Sequence, residues 1–184
     1  GSTERSESNR ARSVRHKVAT STCLEGSTIH NKFMSHISLT YHIIWRTKCS
    51  HRTISEAHER DLYNYIFGIC KAKKCTLYRI SSMPDHFHIC IEIHPTIALS
   101  DFMKILKQES SNWIRQHREW FPNFDAWGNG YAAFTYSAKE RENVVAYIKN
   151  QKEHHKTADF KEEYNNLLRE FDLNPDEDMF LKDE

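Results

Sequence analysis

The stretch Met83-Pro84-Asp85-His86-Phe87-His88-Ile89-Cys90-Ile91-Glu92-Ile93-His94 decides the fold. From His86 onward, Phe87, Ile89, Ile91 and Ile93 alternate with His86, His88, Cys90, Glu92 and His94. Side chains two apart on a strand share a face, so the spacing predicts one apolar and one polar face. Pro84-Asp85 supplies the turn in front of the strand. Helices are expected over the apolar face, which leaves the histidine row on the open side of the sheet.

The flanking segments complete the pattern. Ile37, Leu39, Tyr41, Ile43 and Trp45 alternate with polar positions that include His42, predicting an earlier strand. Thr53-Ile54-Ser55-Glu56 reads as a capping box opening a helix that carries Leu62, Tyr65, Ile66 and Ile69. Thr76 to Ile80 is a strand, Ser100 caps a helix through Phe102, Leu106 and Ile114, and Tyr131 to Tyr136 is a fourth strand. Ser137-Ala138-Lys139-Glu140 is a second capping box, opening a helix that runs to about His155. The order β-α-β-β-α-β-α predicts an α+β, ferredoxin-like (RRM-like) antiparallel sheet with helices on one face, plus a C-terminal helix.

Composition sets the outer limits. The 184 residues, 39% of them hydrophobic, suit one core with tails. The longest apolar run falls far short of the ~20 residues a membrane-spanning helix needs, which excludes a membrane protein, and the odd number of cysteines points to a reducing cytoplasm. Five cysteines (23, 49, 70, 75 and 90) form no CxxC pair, so neither a disulfide scaffold nor a paired zinc site is expected. Net charge is +1, but the start of the chain is basic and the end acidic, a distribution compatible with a nucleic-acid partner. Residues 1–33 read as a disordered or extended segment, 34–158 as the folded domain and 159–184 as an acidic helix and loose tail.

Two small motifs carry chemistry. His86 and His88 stand on one face of their strand, a spacing suited to holding a metal ion, although surface histidines share it. Tyr147 and Gln151 are i and i+4, hence neighbours on one helix face. In this arrangement the sequence resembles the single-tyrosine HUH transposases of insertion-sequence-200-like and REP-associated elements. The resemblance runs through Tyr41–Lys48, Met83–His88, Met103–Ser111, Trp127–Tyr131 and Tyr147–His155, in order.

The resemblance implies a DNA transposase acting on hairpin-containing single-stranded ends through a 5′-phosphotyrosine intermediate. It implies Tyr147 as nucleophile and His86, His88 and Gln151 as ligands of Mg²⁺ or Mn²⁺. A homodimer with shared active sites is implied too, with the nucleoid as the place of action. The three implied ligands are neutral, and hard cations prefer charged oxygen, so the free protein is expected to bind metal weakly until DNA supplies a phosphate.

Arg46, Lys48, Arg52, Lys104 and Lys107 are candidate phosphate contacts. His155 is a candidate contact to DNA or metal, or part of a solvated helix end, and alternation puts His42 on the polar side of the first strand, a candidate neighbour of the site. Trp127 and Tyr131 are candidates either for stacking an unpaired base or for the core. Two alternatives share the fold: a non-catalytic single-stranded nucleic-acid-binding module, and a replication-initiator or relaxase-type HUH nuclease. The first lacks the aromatic row such modules carry on the third strand, where His86 and His88 stand instead.

Overall fold

Four strands, β1 (Thr40–Arg46), β2 (Thr76–Ser82), β3 (His86–Glu92) and β4 (Ala132–Tyr136), form one antiparallel sheet in the order β2-β3-β1-β4. The computed structural model describes residues 37–156, 159–176 and 180–181; the reading of residues 1–33 lies outside them. Helices α1 (Glu59–Ala72) and α2 (Leu99–Gln116) cross between the strands, giving the expected βαββαβ order. Three further helices follow: α3 (Arg141–Lys149), α4 (Gln151–His154) and α5 (Phe160–Glu170).

The odd-numbered residues of β1 and β3 build the main core with α1 and α2. Ile43, Trp45, Phe87, Ile89 and Ile91 pack there with Leu62, Ile66, Phe102, Leu106 and Ile114. Phe87 stacks on Trp45 at 4.9 Å and meets the edge of Trp127 at 5.4 Å. Trp127 thus belongs to the core, and its indole N–H donates to Ser110 Oγ at 3.0 Å. Tyr131 packs half-buried against the same cluster.

The polar row is not on an open face. The histidine side of the sheet is covered by α3, α4 and α5, and His86, His88 and Cys90 are each at most 1% exposed. Ile44, Ala132 and Phe134 explain the cover: they sit on this same face and bury against Tyr164, Leu167, Leu168 and Phe180. Their apolar area has to leave water, and the acidic tail supplies the helix that does it. The tail is therefore not loose at Phe180, which is 8% exposed.

Several boundaries shift for local reasons. The first capping box does not form: the Thr53 and Ile54 amides both donate to Pro84 O, and α1 begins only at Glu59. The second does, with Glu140 Oε2 accepting from the Ser137 amide at 3.0 Å and from its hydroxyl. Ser100 lies inside α2, whose N-cap is Ala98. Strand β1 starts at Thr40, leaving Ile37 and Leu39 exposed. The expected single last helix breaks at Asn150, whose amide is shared by the carbonyls of Ala146, Tyr147 and Ile148.

Candidate active site

His86 and His88 project from β3 into the space between the sheet and α3–α5, and each is held from behind. His86 Nδ1 donates to the Asp85 carboxylate at 2.7 Å. His88 Nδ1 shares a hydrogen bond of 2.9 Å with Nε2 of His42, from the neighbouring strand β1. Backing one ring nitrogen turns the other toward the site, the arrangement by which proteins orient metal-binding imidazoles. Both Nε2 atoms accordingly face a common point.

Glu163 of α5 occupies that point and is 3% exposed. Its Oε2 lies 2.8 Å from His155 Nε2, 3.7 Å from His88 Nε2 and 3.9 Å from His86 Nε2. Its Oε1 accepts hydrogen bonds from the Tyr147 hydroxyl and, at 2.7 Å, from Gln151 Nε2. Tyr147 stands at the end of α3 and Gln151 opens α4, so the i, i+4 relation survives the break between them. His86, His88, Tyr147, Gln151 and His155 all meet here within one chain.

Burial sets the protonation states. It drives His42 down to about 4 and His88 well below the usual imidazole range, against the pull of Glu163 in each case. His86 is lowered by burial despite Asp85. Burial works against the charge of Glu163, yet His155, His88, Tyr147 and Gln151 together hold it well below the ordinary carboxylate range. Burial and then the Glu163 charge push the Tyr147 phenol above its usual value. The site thus holds His42, His86 and His88 as neutral imidazoles beside one carboxylate, with the tyrosine un-ionised.

These groups fit a divalent cation. The ligating atoms of His86, His88, His155 and Glu163 all lie within 4.8 Å of one another. His88 Nε2 and Gln151 Oε1 are buried and have no hydrogen-bond partner among the described residues. A neutral imidazole with a bare lone pair is the form that binds metal. An open cavity of about 420 Å³ leads to His86 and His155, with Arg52 and Lys156 on its walls.

The remaining candidates are elsewhere. Arg46, read as a phosphate contact, is 2% exposed and donates from Nε to Phe180 O at 2.9 Å and from Nη1 to Ser50 Oγ at 3.1 Å. It pins the C-terminal segment to β1. Lys107 donates to the carbonyls of Gly128 and Gly130, closing the loop before β4. Lys48 pairs with Asp125 at the surface, and Lys104 is exposed on α2, across the sheet from the histidines. Sequence reasoning missed Asp85 as a partner of His86, and it missed Glu163 altogether. The signal for Glu163 was available: Phe160, Tyr164, Leu167, Leu168 and Phe171 mark the apolar stripe of α5, and Glu163 lies on it.

A family model described as IS200-like transposase (Y1_Tnp) matches residues 35–151. The chain is 27% identical over 117 residues to the ISDra2 transposase TnpA of Deinococcus radiodurans, covering 61% of this chain and 84% of that protein. It is 26% identical over 123 residues to the transposase of insertion sequence element IS200 from Salmonella typhimurium, covering 65% of this chain and 80% of the relative. Among solved structures, a Deinococcus radiodurans R1 protein described as a transposase aligns with a TM-score of 0.50 at 25% identity, over 66% of this chain and 97% of its own. A REP-associated tyrosine transposase solved with a REP hairpin shares the fold, with a TM-score of 0.51 at 12% identity over 66% and 74% of the two chains. With more than half its length matched and a tyrosine brought to a histidine pair, this chain belongs to the IS200-like transposase family.

Proposed function

We propose that the chain cleaves and rejoins single-stranded DNA by transesterification, with Tyr147 as nucleophile and Mg²⁺ or Mn²⁺ held by His86, His88 and Gln151. The observation that carries this reading is the meeting of the Tyr147 hydroxyl with two backed histidines around a single buried point. The family and the REP hairpin bound to a relative of this fold support DNA as the partner.

When bound, the cation would neutralise and polarise the scissile phosphate, so that a phenol still protonated at neutral pH can attack. Tyr147 Oη forms its bond to phosphorus as the P–O3′ bond breaks. The phenol gives up a proton and the departing 3′-oxygen gains one, which leaves the 5′-phosphate on Tyr147 and a free 3′-OH. The ester keeps the bond energy, and the same step run backwards rejoins the strand. Asp85 and His42 hold the two imidazoles in register, and the presence of Arg52 and Lys156 on the wall of the cavity at His86 supports a contact to the neighbouring backbone charge.

The test uses single-stranded oligonucleotides carrying the flanks of the gene, with Mn²⁺ or Mg²⁺, resolved on a denaturing gel. The expected result is a protein–DNA adduct that requires metal and disappears in Tyr147→Phe and in His86→Ala. Tight binding by the wild type with no adduct would replace this reading by a nucleic-acid-binding module without chemistry.

The family resemblance supports a homodimer with exchanged tyrosine helices, whereas in this fold Tyr147 already stands over the histidines of its own chain. Mixing Tyr147→Phe with His88→Ala protein separates the two. Assembly within one chain predicts no adduct from the mixture, and an adduct there would require exchange between subunits.

A further inference from the structure

The neutral ligand set expected from the sequence, His86, His88 and Gln151, leaves a cation without a charged partner until DNA arrives. The fold adds one. Glu163 lies outside the matched segment, on a helix that follows it, and its carboxylate is aimed between the histidines. Its two oxygens have separate partners: Oε1 is fixed by Tyr147 and Gln151, while Oε2 faces His86, His88 and His155. Beside it, His88 Nε2 and Gln151 Oε1 are buried without a hydrogen-bond partner among the described residues.

We infer that Glu163 is itself a ligand of the divalent cation, through Oε2, and that it lets the protein load metal before any DNA is bound. This rests on the metal-dependent reading above and deepens it. A carboxylate oxygen supplies the negative charge that hard cations seek, and three imidazoles around it suit Mn²⁺ at least as well as Mg²⁺. Gln151 then has two tasks, steering Oε1 with its amide nitrogen and offering its own oxygen to the ion. In this arrangement the charge that a substrate phosphate would bring is already present, contributed by the chain.

The experiment is a titration of the full, metal-stripped chain with MnCl₂ in the absence of DNA, followed by the electron paramagnetic resonance of free Mn²⁺ and by calorimetry. The wild type is expected to take up one Mn²⁺ per chain. Glu163→Gln, which keeps the shape and removes the charge, is expected to weaken binding at least about tenfold, consistent with the loss seen when groups around a metal site are removed. His88→Ala is expected to abolish it. Circular dichroism of each variant establishes that the fold is retained, and Glu163→Asp, whose shorter arm withdraws the oxygen, is expected to fall between wild type and Glu163→Gln.

Equal affinity in wild type and Glu163→Gln, with binding lost in His88→Ala, would overturn the inference and leave the histidine-based reading standing. A wild type that takes up Mn²⁺ only when a single-stranded oligonucleotide is added would overturn it in the same way. Binding unaffected by His88→Ala would overturn both.

Discussion

Phe87→Ala is expected to cost about 3–5 kcal/mol of folding stability, the usual range for emptying a buried phenylalanine site. Phe87 is fully buried between the two histidines in sequence and faces the opposite side of the sheet. Its ring stacks on Trp45 and meets Trp127 and Tyr63 edge-on, so three aromatic partners lose their contact at once. Rings of that size do not collapse into the gap. Against a typical total of about 5–15 kcal/mol, the loss removes between about a fifth and all of the folding free energy. Urea unfolding monitored by tryptophan fluorescence reads it as a lowered midpoint at unchanged slope. A shift equivalent to under about 1 kcal/mol would mean that this core repacks far better than its aromatic contacts imply.

Acidification of the metal-free protein is expected to be nearly as damaging, and well before ordinary carboxylates protonate. Burial lowers His42 from 6.5 to about 4, so between those values the unfolded chain holds a proton that the folded chain refuses. Stability therefore falls as pH drops from 6.5, and by pH 4 His42 alone accounts for about 3 kcal/mol. His86 and His88 are lowered too and act in the same direction. Glu163, held low, adds a loss of the same sign once pH falls below the range of a free carboxylate. Urea midpoints at pH 7.5, 6, 5 and 4.5 should fall steadily, and His42→Asn should flatten part of the slope. Stability constant from pH 7 to 4.5 would show that these imidazoles are charged inside the fold.

The strands were legible because a period of two leaves few alternatives. The pairs His86/His88 and Tyr147/Gln151 were legible because each carries its geometry in its own spacing, and the fold brings both to one point. The cover over the histidines was harder to read, since Ile44 and Phe134 each look like one apolar residue in a polar row. Only the paired register of β1 with β3 and β4 gathers them into a patch that demands a lid. Glu163 was hidden for a related reason. It reaches Gln151 from 12 residues away across a break between helices, and in an acidic segment one carboxylate looks like the next. Arg46 and Lys107 show the opposite error: both are cations, but backbone carbonyls engage each of them.

The strand order β2-β3-β1-β4 has one more consequence. His86 and His88 on β3 and His42 on β1 occupy the two inner strands, each bonded to a neighbour along both edges. Backbone amides in such strands open only with the whole domain, whereas elements packed through side chains release at lower free energy. Tyr147, Gln151 and Glu163 ride on short helices of that second kind. The centre is thus half anvil and half hammer: the imidazoles keep a fixed gauge, and every adjustment in distance falls to the helical side.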